Sequence, residues 1–265
     1  MSPEPPLASA DATPAVSVRA LRKAFAGKVA VDGIDLEIPR GSFFGLVGPN
    51  GAGKTTTLRM VTALLRPDAG RASVAGVDVW RDPARAKAVI GVLPEELHLF
   101  DRLTGRELLT YNGLLRGLGP HVVALRSEEL LAVLGLDAAA DTLVVDWSHG
   151  MRKKIALAAA LLHAPRVLFL DEPFEAIDPI SARTIRSLLE RHVESGATVV
   201  LSSHVMELVQ RLCDRVAVMH EGRIVAAGET EAVRRGRPLE DVFVELVGGD
   251  ARRVDAIEWL GTSSA

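Results

Sequence analysis

An α/β fold is what the 265-residue sequence predicts, on three observations. A glycine-rich turn, Gly48-Pro49-Asn50-Gly51-Ala52-Gly53-Lys54-Thr55, lies between the apolar run 43–47, which reads as a buried strand, and a helical stretch over 56–65. A second apolar run, 167–170, ends abruptly in Asp171-Glu172. Helix 180–193, strand 198–201, helix 205–211 and strand 215–219 then alternate, the order of a parallel sheet with crossover helices.

Composition suits one large or two small globular domains, since 48% of the residues are hydrophobic and 25% charged. A formal net charge of -3 argues against binding nucleic acid through a strongly basic surface, so no direct nucleic-acid contact is expected. Cys213, the single cysteine, has no disulfide partner and reads as core filler in a reducing compartment. The Pro-, Ala- and Ser-rich residues 1–14 lack the basic start and apolar block of a signal peptide and read as a flexible tail. The longest apolar stretch, 155–162, falls far short of the roughly 20 residues of a membrane helix. Any membrane role must come through a partner.

Taken in order, residues 16–21 and 29–38 alternate apolar with polar and predict an antiparallel N-terminal β subdomain. Phe25 lies between them, where its ring could stack on a nucleobase or pack in the core. After the helix at 56–65 come a turn at 66–70, a short strand at 72–75 and a buried strand at 89–93. Periodicity is helical from Pro94 to His163, with Thr104 and Glu107 spaced as a capping box and helix continuing through 127–134. We therefore expect a core formed by 15–94 and 164–248, a helical insert over 95–163, and a tail over 249–265. Residues 223–227 read as a further strand and 239–246 as a closing helix.

The turn fits G-x-x-x-x-G-K-[ST] at every fixed position and stands in the strand-loop-helix context that a phosphate-binding loop needs. Glycines let the backbone approach phosphates, and the new helix offers unpaired N–H donors there. Gly48, Pro49, Asn50, Gly51, Ala52, Gly53, Lys54, Thr55 and Thr56 are thus candidate nucleotide-binding residues, with Lys54 a point charge for the β/γ-phosphates and the Thr55 hydroxyl a ligand for Mg²⁺. The expected core is a P-loop NTPase (RecA-like) fold. Asp171 and Glu172, delivered at a strand's C-terminal end, would be costly to bury unless cations met them. Asp171 can join the Mg²⁺ shell and Glu172 can polarise a water toward the γ-phosphate. His204 follows the next strand, emerging at the same sheet edge, and could contact the γ-phosphate.

Together these motifs resemble an ATP-binding cassette ATPase, the nucleotide-binding subunit of an ABC transporter, over residues 16–248. Its second signature, of Leu-Ser-Gly-Gly-Gln type, corresponds to Trp147-Ser148-His149-Gly150-Met151, in which Ser148 and Gly150 match while His149 and Met151 depart. The resemblance implies that Ser148 and Gly150 close over the ATP of a second cassette, so a homo- or heterodimer holds two nucleotides between its subunits. Asp178 falls at the position that communicates across that interface; Phe174, Glu175 and Ala176 depart from the commoner letters without an account from sequence. Glu95 stands where such proteins carry a Gln that joins the Mg²⁺ shell, with Glu96 the alternative. Leu99 and Phe100 fall where the family forms a groove for a cytoplasmic helix of its membrane subunit, or pack in the core.

The resemblance further implies ATP and Mg²⁺ as cofactors, a polytopic membrane permease as partner, and a place on the cytoplasmic face of the cell membrane. The Gly150-Met151-Arg152 form and the segment 239–243 are similar to the branch exporting drugs, antibiotics or lipids. A soluble cassette of translation or DNA repair is the alternative, but the chain has neither a second cassette nor a long coiled coil. A GTPase or small-molecule kinase lacks support, because no Lys-x-Asp occurs and Ser148 to Met151 would stay unexplained.

Overall fold

In the computed structural model residues 13–247 are described. The expected tails, apart from Thr13 and Pro14, lie outside the described residues.

Two sheets organise the chain. The first has the order β2-β1-β4-β5 and is antiparallel, with β1 (Val16–Phe25), β2 (Lys28–Ile38), β4 (Ala69–Val74) and β5 (Val77–Asp78). The second has the order β10-β9-β3-β8-β7-β6, with β3 (Phe43–Val47), β6 (Ile90–Leu93), β7 (Val167–Asp171), β8 (Thr198–Ser203), β9 (Arg215–His220) and β10 (Arg223–Glu229). Only the β9–β10 pair in it is antiparallel. The helices are α1 (Lys54–Val61), α2 (Pro83–Ala88), α3 (Gly105–Leu115), α4 (Pro120–Val133), α5 (His149–Leu161), α6 (Pro179–Glu194), α7 (Met206–Leu212), α8 (Thr230–Arg234) and α9 (Leu239–Val247). Among the described residues no helix is long and apolar enough to cross a membrane.

Strand periodicity divides the core. Leu168 and Leu170 of β7 face one cluster, shared with Ile155 and Leu157 of α5 and Ile185 and Leu189 of α6. Val167 and Phe169, one residue out of phase, face the other, shared with Leu58 and Met60 of α1 and Val18 and Val74 of the antiparallel sheet. The parallel sheet is therefore covered on both faces, which is why β3 and β7 are continuous apolar runs rather than alternating ones. Truncating Leu168 to Ala would cost about 2–5 kcal/mol.

In β1 the strict alternation breaks at Ala20, whose φ of 46° sits in a β-bulge between Val18 and Leu21. The extra residue returns Leu21 to the buried face. Helix α1 begins two residues earlier and ends four residues sooner than the sequence suggests. Thr62 turns its hydroxyl back to the Leu58 carbonyl (2.8 Å), Ala63 takes φ 57°, and the Leu64 and Leu65 amides both fold back on the Arg59 carbonyl. The insert follows its capping box, with Thr104 Oγ1 accepting from Glu107 N and the Glu107 carboxylate accepting from Thr104 N at 2.9 Å. Helix α4 starts at Pro120, ahead of the apolar spacing that signalled it.

Candidate functional site

Adjacent strands deliver the site. β3 pairs with β8 and β8 with β7, all parallel, so the loops after Val47, Asp171 and Ser203 leave one sheet edge side by side. Ligands bind at such C-terminal edges in α/β sheets.

The loop from Gly48 to Gly53 leaves buried β3 and enters α1 without any side-chain cap. Its first helical bond runs from Thr57 N to Gly53 O, so the preceding N–H groups have no helical acceptor. Two glycines are fixed by space: a Cβ at Gly48 would lie 2.1 Å from the Met219 carbonyl, and one at Gly53 would lie 2.4 Å from the Ala30 carbonyl at φ 105°. Lys54 is buried, its Nζ donating to the carbonyls of Gly48 (2.7 Å) and Pro49 (3.2 Å) and lying 3.8 Å from Glu172 Oε1. Burial pulls its pKa down, against the opposing pull of Glu172, Asp171 and Glu95. Phe25, Lys28, Asn50, Thr55, Thr56, Glu95 and Glu172 share with this loop a hollow of about 330 Å³. Phe25 keeps half its ring exposed there, with Lys23 Nζ 5.6 Å from the ring centroid. A larger hollow of about 500 Å³ lies at the other end of the strands, around Arg40, Arg166 and His192, and gathers none of these groups.

Oxygen donors converge beside Lys54. Thr55 Oγ1 is 3.2 Å from both Asp171 Oδ1 and Glu95 Oε2, whereas Glu96 turns away to pair with Arg59 at 3.7 Å. Burial raises the Asp171 pKa, opposed by hydrogen bonds from Ser202 and Thr55 and reinforced by the charges of Glu95 and Glu172. Two carboxylates and a hydroxyl fit a small hard cation that takes its remaining ligands from phosphate and water. Among the described residues no group of three or more His, Cys, Asp or Glu is placed to hold a metal ion by itself.

Glu172 is 8% exposed and takes φ 47°, a conformation costly for a side chain of its size. Ser202, to which sequence assigned no role, holds it: its hydroxyl donates to Asp171 Oδ1 and accepts from Glu172 N at 3.1 Å. No local signal in the sequence marks that role, because its partners lie at the end of β7. His204 Nδ1 lies 3.0 Å from Glu172 Oε1, in a turn where Ser203 Oγ accepts from Val205 N at 3.0 Å.

Ser148 and Gly150 stand apart from that cluster, at the start of α5. Exposed Ser148 caps the helix, its hydroxyl accepting from Met151 N at 3.3 Å, and a Cβ at Gly150 would press on the Ala176 carbonyl at 3.3 Å. Asp178 caps α6, accepting from Ile180 N (3.0 Å) and Ser181 N (2.9 Å), and the hydrogen bonds from Ser181 hold its carboxyl below the usual range. Leu99 packs against the core, while Phe100 stays half exposed, edge-on to Tyr111 at 5.1 Å, beside a hollow of about 170 Å³.

The profile of the ABC transporter family matches residues 31–175. The chain is 38% identical over 208 residues to the linearmycin resistance ATP-binding protein LnrL of Bacillus subtilis (strain 168), covering 78% of this chain and 67% of that one. It is 39% identical over 218 residues to the daunorubicin/doxorubicin resistance ATP-binding protein DrrA of Streptomyces peucetius, covering 82% of this chain and 66% of that one. The chain thus spans about two thirds of the length of these relatives. A solved ATP-binding subunit of an ABC transporter superposes with a TM-score of 0.83 at 27% identity, over 88% of this chain and 99% of that one. With a complete phosphate loop, an acidic strand end and His204 gathered at one edge of a P-loop NTPase sheet, the chain belongs to the ABC transporter family as one of its ATP-binding, ATP-hydrolysing subunits.

Proposed function

We propose that the chain drives a separate polytopic permease that exports a drug, antibiotic or lipid, from the cytoplasmic face of the cell membrane. The observation that carries this reading is the pairing of a complete phosphate-loop site with a helix start at Gly150 and exposed Ser148 that stands apart from that site. Half a site on each of two subunits implies a second cassette, and similarity to proteins named for linearmycin and daunorubicin/doxorubicin resistance supports export as the direction.

In the proposed mechanism the loop amides and Lys54 bind the β- and γ-phosphates, so Lys54 exchanges its carbonyl partners for phosphate oxygens. Thr55, Asp171 and Glu95 would hold Mg²⁺, which when bound neutralises charge developing on the phosphates. Glu172 orients a water for in-line attack and accepts its proton, His204 keeps the Glu172 carboxylate turned toward the γ-phosphate, and Phe25 stacks on the base. Ser148 and Gly150 of the second cassette close the site with a hydroxyl and a helix start. The hollow beside Phe100 and Tyr111 receives a cytoplasmic segment of the permease.

Affinity purification of the full chain from its native membrane tests the reading. A co-purifying polytopic subunit is the expected result. Recovery of ribosomes or DNA instead would replace it with the permease-free alternative.

A further inference from the structure

Three residues of the turn after the acidic strand, Phe174, Glu175 and Ala176, depart from the commoner family letters, and one residue of α5 is oddly placed for its chemistry. Lys153 is 2% exposed, an ammonium side chain sealed in the core, and it stands on the helix that begins with Ser148. Its Nζ donates to the Glu175 carbonyl at 3.2 Å and lies 3.8 Å from Glu175 Oε2. Gly150, one turn earlier on the same helix face, brings the α5 backbone against the Ala176 carbonyl. On its other side α5 is tied down by Arg152, which pairs with Asp101 at 2.8 Å and donates to the Val144 carbonyl at 3.1 Å.

We infer that Lys153 and Glu175 form a latch that clamps the 172–178 turn onto the start of α5, making Lys153 a positioning residue for Glu172. A buried ammonium must find acceptors, and the acceptors here belong to the turn that carries Glu172 at its head and Asp178 at its foot. Burial pulls the Lys153 pKa down, while Glu175, Glu172, Asp171 and Glu95 pull it up, so the ammonium lies in the field of the whole acidic cluster. The turn's own backbone bonds, from Glu175 N to Glu172 O (3.3 Å) and from Ile177 N to Phe174 O (3.4 Å), are long, and Ala176 takes φ 57°. Ser202 fixes its head, Asp178 its foot, and Phe174 and Ile177 pack on the core, so Lys153 supplies the polar tie to its middle. With a free turn, Glu172 would lose its angle to the attacking water; with a latched turn, the acid and the Ser148 end of α5 move as one body. The carboxylate of Glu175 adds a charged partner that an uncharged letter at that position would not, which accounts for its departure. That carboxylate is half exposed, so removing it loosens the turn by less than removing the ammonium does.

The inference rests on Glu172 being the group that orients the water. Steady-state ATP hydrolysis and hydrogen exchange over residues 172–178 are measured on the full chain with Mg-ATP, for Lys153→Met, Lys153→Arg, Glu175→Ala and the reference Glu172→Gln. Expected are a fall in kcat of about tenfold to a hundredfold for Lys153→Met with KM nearly unchanged, recovery of most turnover by Lys153→Arg, and faster exchange over the turn in Lys153→Met and Glu175→Ala. A Lys153→Met protein with normal kcat and normal exchange overturns the latch, whatever its melting temperature. Should that variant not fold, half-exposed Glu175 decides, and unchanged exchange in Glu175→Ala overturns the latch. Near-normal turnover by Glu172→Gln instead removes the reading of Glu172 and the latch with it.

Discussion

The imidazole of His204 and the carboxylate of Glu172 meet at 3.0 Å, on the same oxygen that faces Lys54 Nζ at 3.8 Å. The acid is thus held between two nitrogen groups. Binding phosphate would draw Lys54 away and leave His204 as the guide. Glu172→Gln keeps the shape but can no longer accept a proton, so turnover falls by about 10²- to 10⁴-fold. ATP affinity stays close to that of the parent chain, as phosphate-release and equilibrium binding assays on the same preparation would establish. Full turnover would take Glu172 out of the reaction.

Ser202 makes a second prediction. Its hydroxyl serves the Asp171 carboxylate and the Glu172 amide at once, inside fully buried β8. Ser202→Ala leaves a buried carboxylate and a buried N–H short of a partner each, a loss of about 1–3 kcal/mol. Chemical denaturation reads the stability and metal-supported ATP binding reads the tilt of Asp171; both decline. A neutral substitution would mean that the two hydrogen bonds do not hold in solution.

Asp178 has two separable jobs. As the cap of α6 it accepts from Ile180 N and Ser181 N, and an Asn there caps about as well. Asp178→Asn therefore keeps the melting temperature, while Asp178→Ala costs about 1 kcal/mol. If the charge also speaks to a second cassette, Asp178→Asn lowers ATP-dependent dimerisation, read by light scattering, without touching stability. Equal dimerisation would restrict Asp178 to capping.

Much of this arrangement was readable from residues. The phosphate loop, Asp171-Glu172 and His204 each follow an apolar run, and strand parity then brings them to one edge without further information. Thr104 and Glu107 announced their capping box because both partners are local. Short elements were lost: α2 carries an Asp82 cap and Pro83 at its start, yet its six residues leave no room for a period. Ser202 and Lys153 were invisible for a different reason, since their partners lie 31 and 22 residues away in sequence and become neighbours only through β7–β8 pairing and the packing of α5. The early end of α1 depended on backbone dihedrals at Ala63, which no apolar spacing encodes.

His163 predicts a pH dependence of stability. Its Nε2 lies 3.1 Å from the Ile90 carbonyl and its Nδ1 is buried without a partner, so burial, with Arg116, Arg126 and His192 nearby, lowers its pKa from 6.5 to about 4. Between those values the unfolded chain binds the proton more readily than the folded one. The contribution is fully present above about pH 6.5 and is lost as the pH falls toward 4, amounting to about 2 kcal/mol at pH 5. In His163→Gln, denaturant midpoints at pH 7 and pH 5 lie closer together than in the parent chain. Parallel losses in both proteins would show that the ring titrates normally.

Glu95 and Asp171 share the Thr55 hydroxyl, at 3.2 Å each, and that sharing sets the last prediction. A Gln at this position would offer an oxygen ligand without charge; Glu95 offers the oxygen with a negative charge that favours a divalent cation and opposes a bare triphosphate. With Mg²⁺ present the carboxylate is matched, and removing its charge weakens metal-supported binding only slightly. Without the metal, Glu95, Asp171 and Glu172 all face the phosphates, and Lys54, already lowered in pKa by burial, is the cation left among them. Replacing one exposed carboxylate near the phosphates by an amide relieves about 1 kcal/mol of that repulsion, or about fivefold in affinity. The ratio of ATP affinity with Mg²⁺ to that in chelator is therefore larger for the parent chain than for Glu95→Gln, chiefly because the variant binds metal-free ATP better. Calorimetric titration of both proteins in both buffers measures all four constants, and equal ratios would remove Glu95 from the metal site.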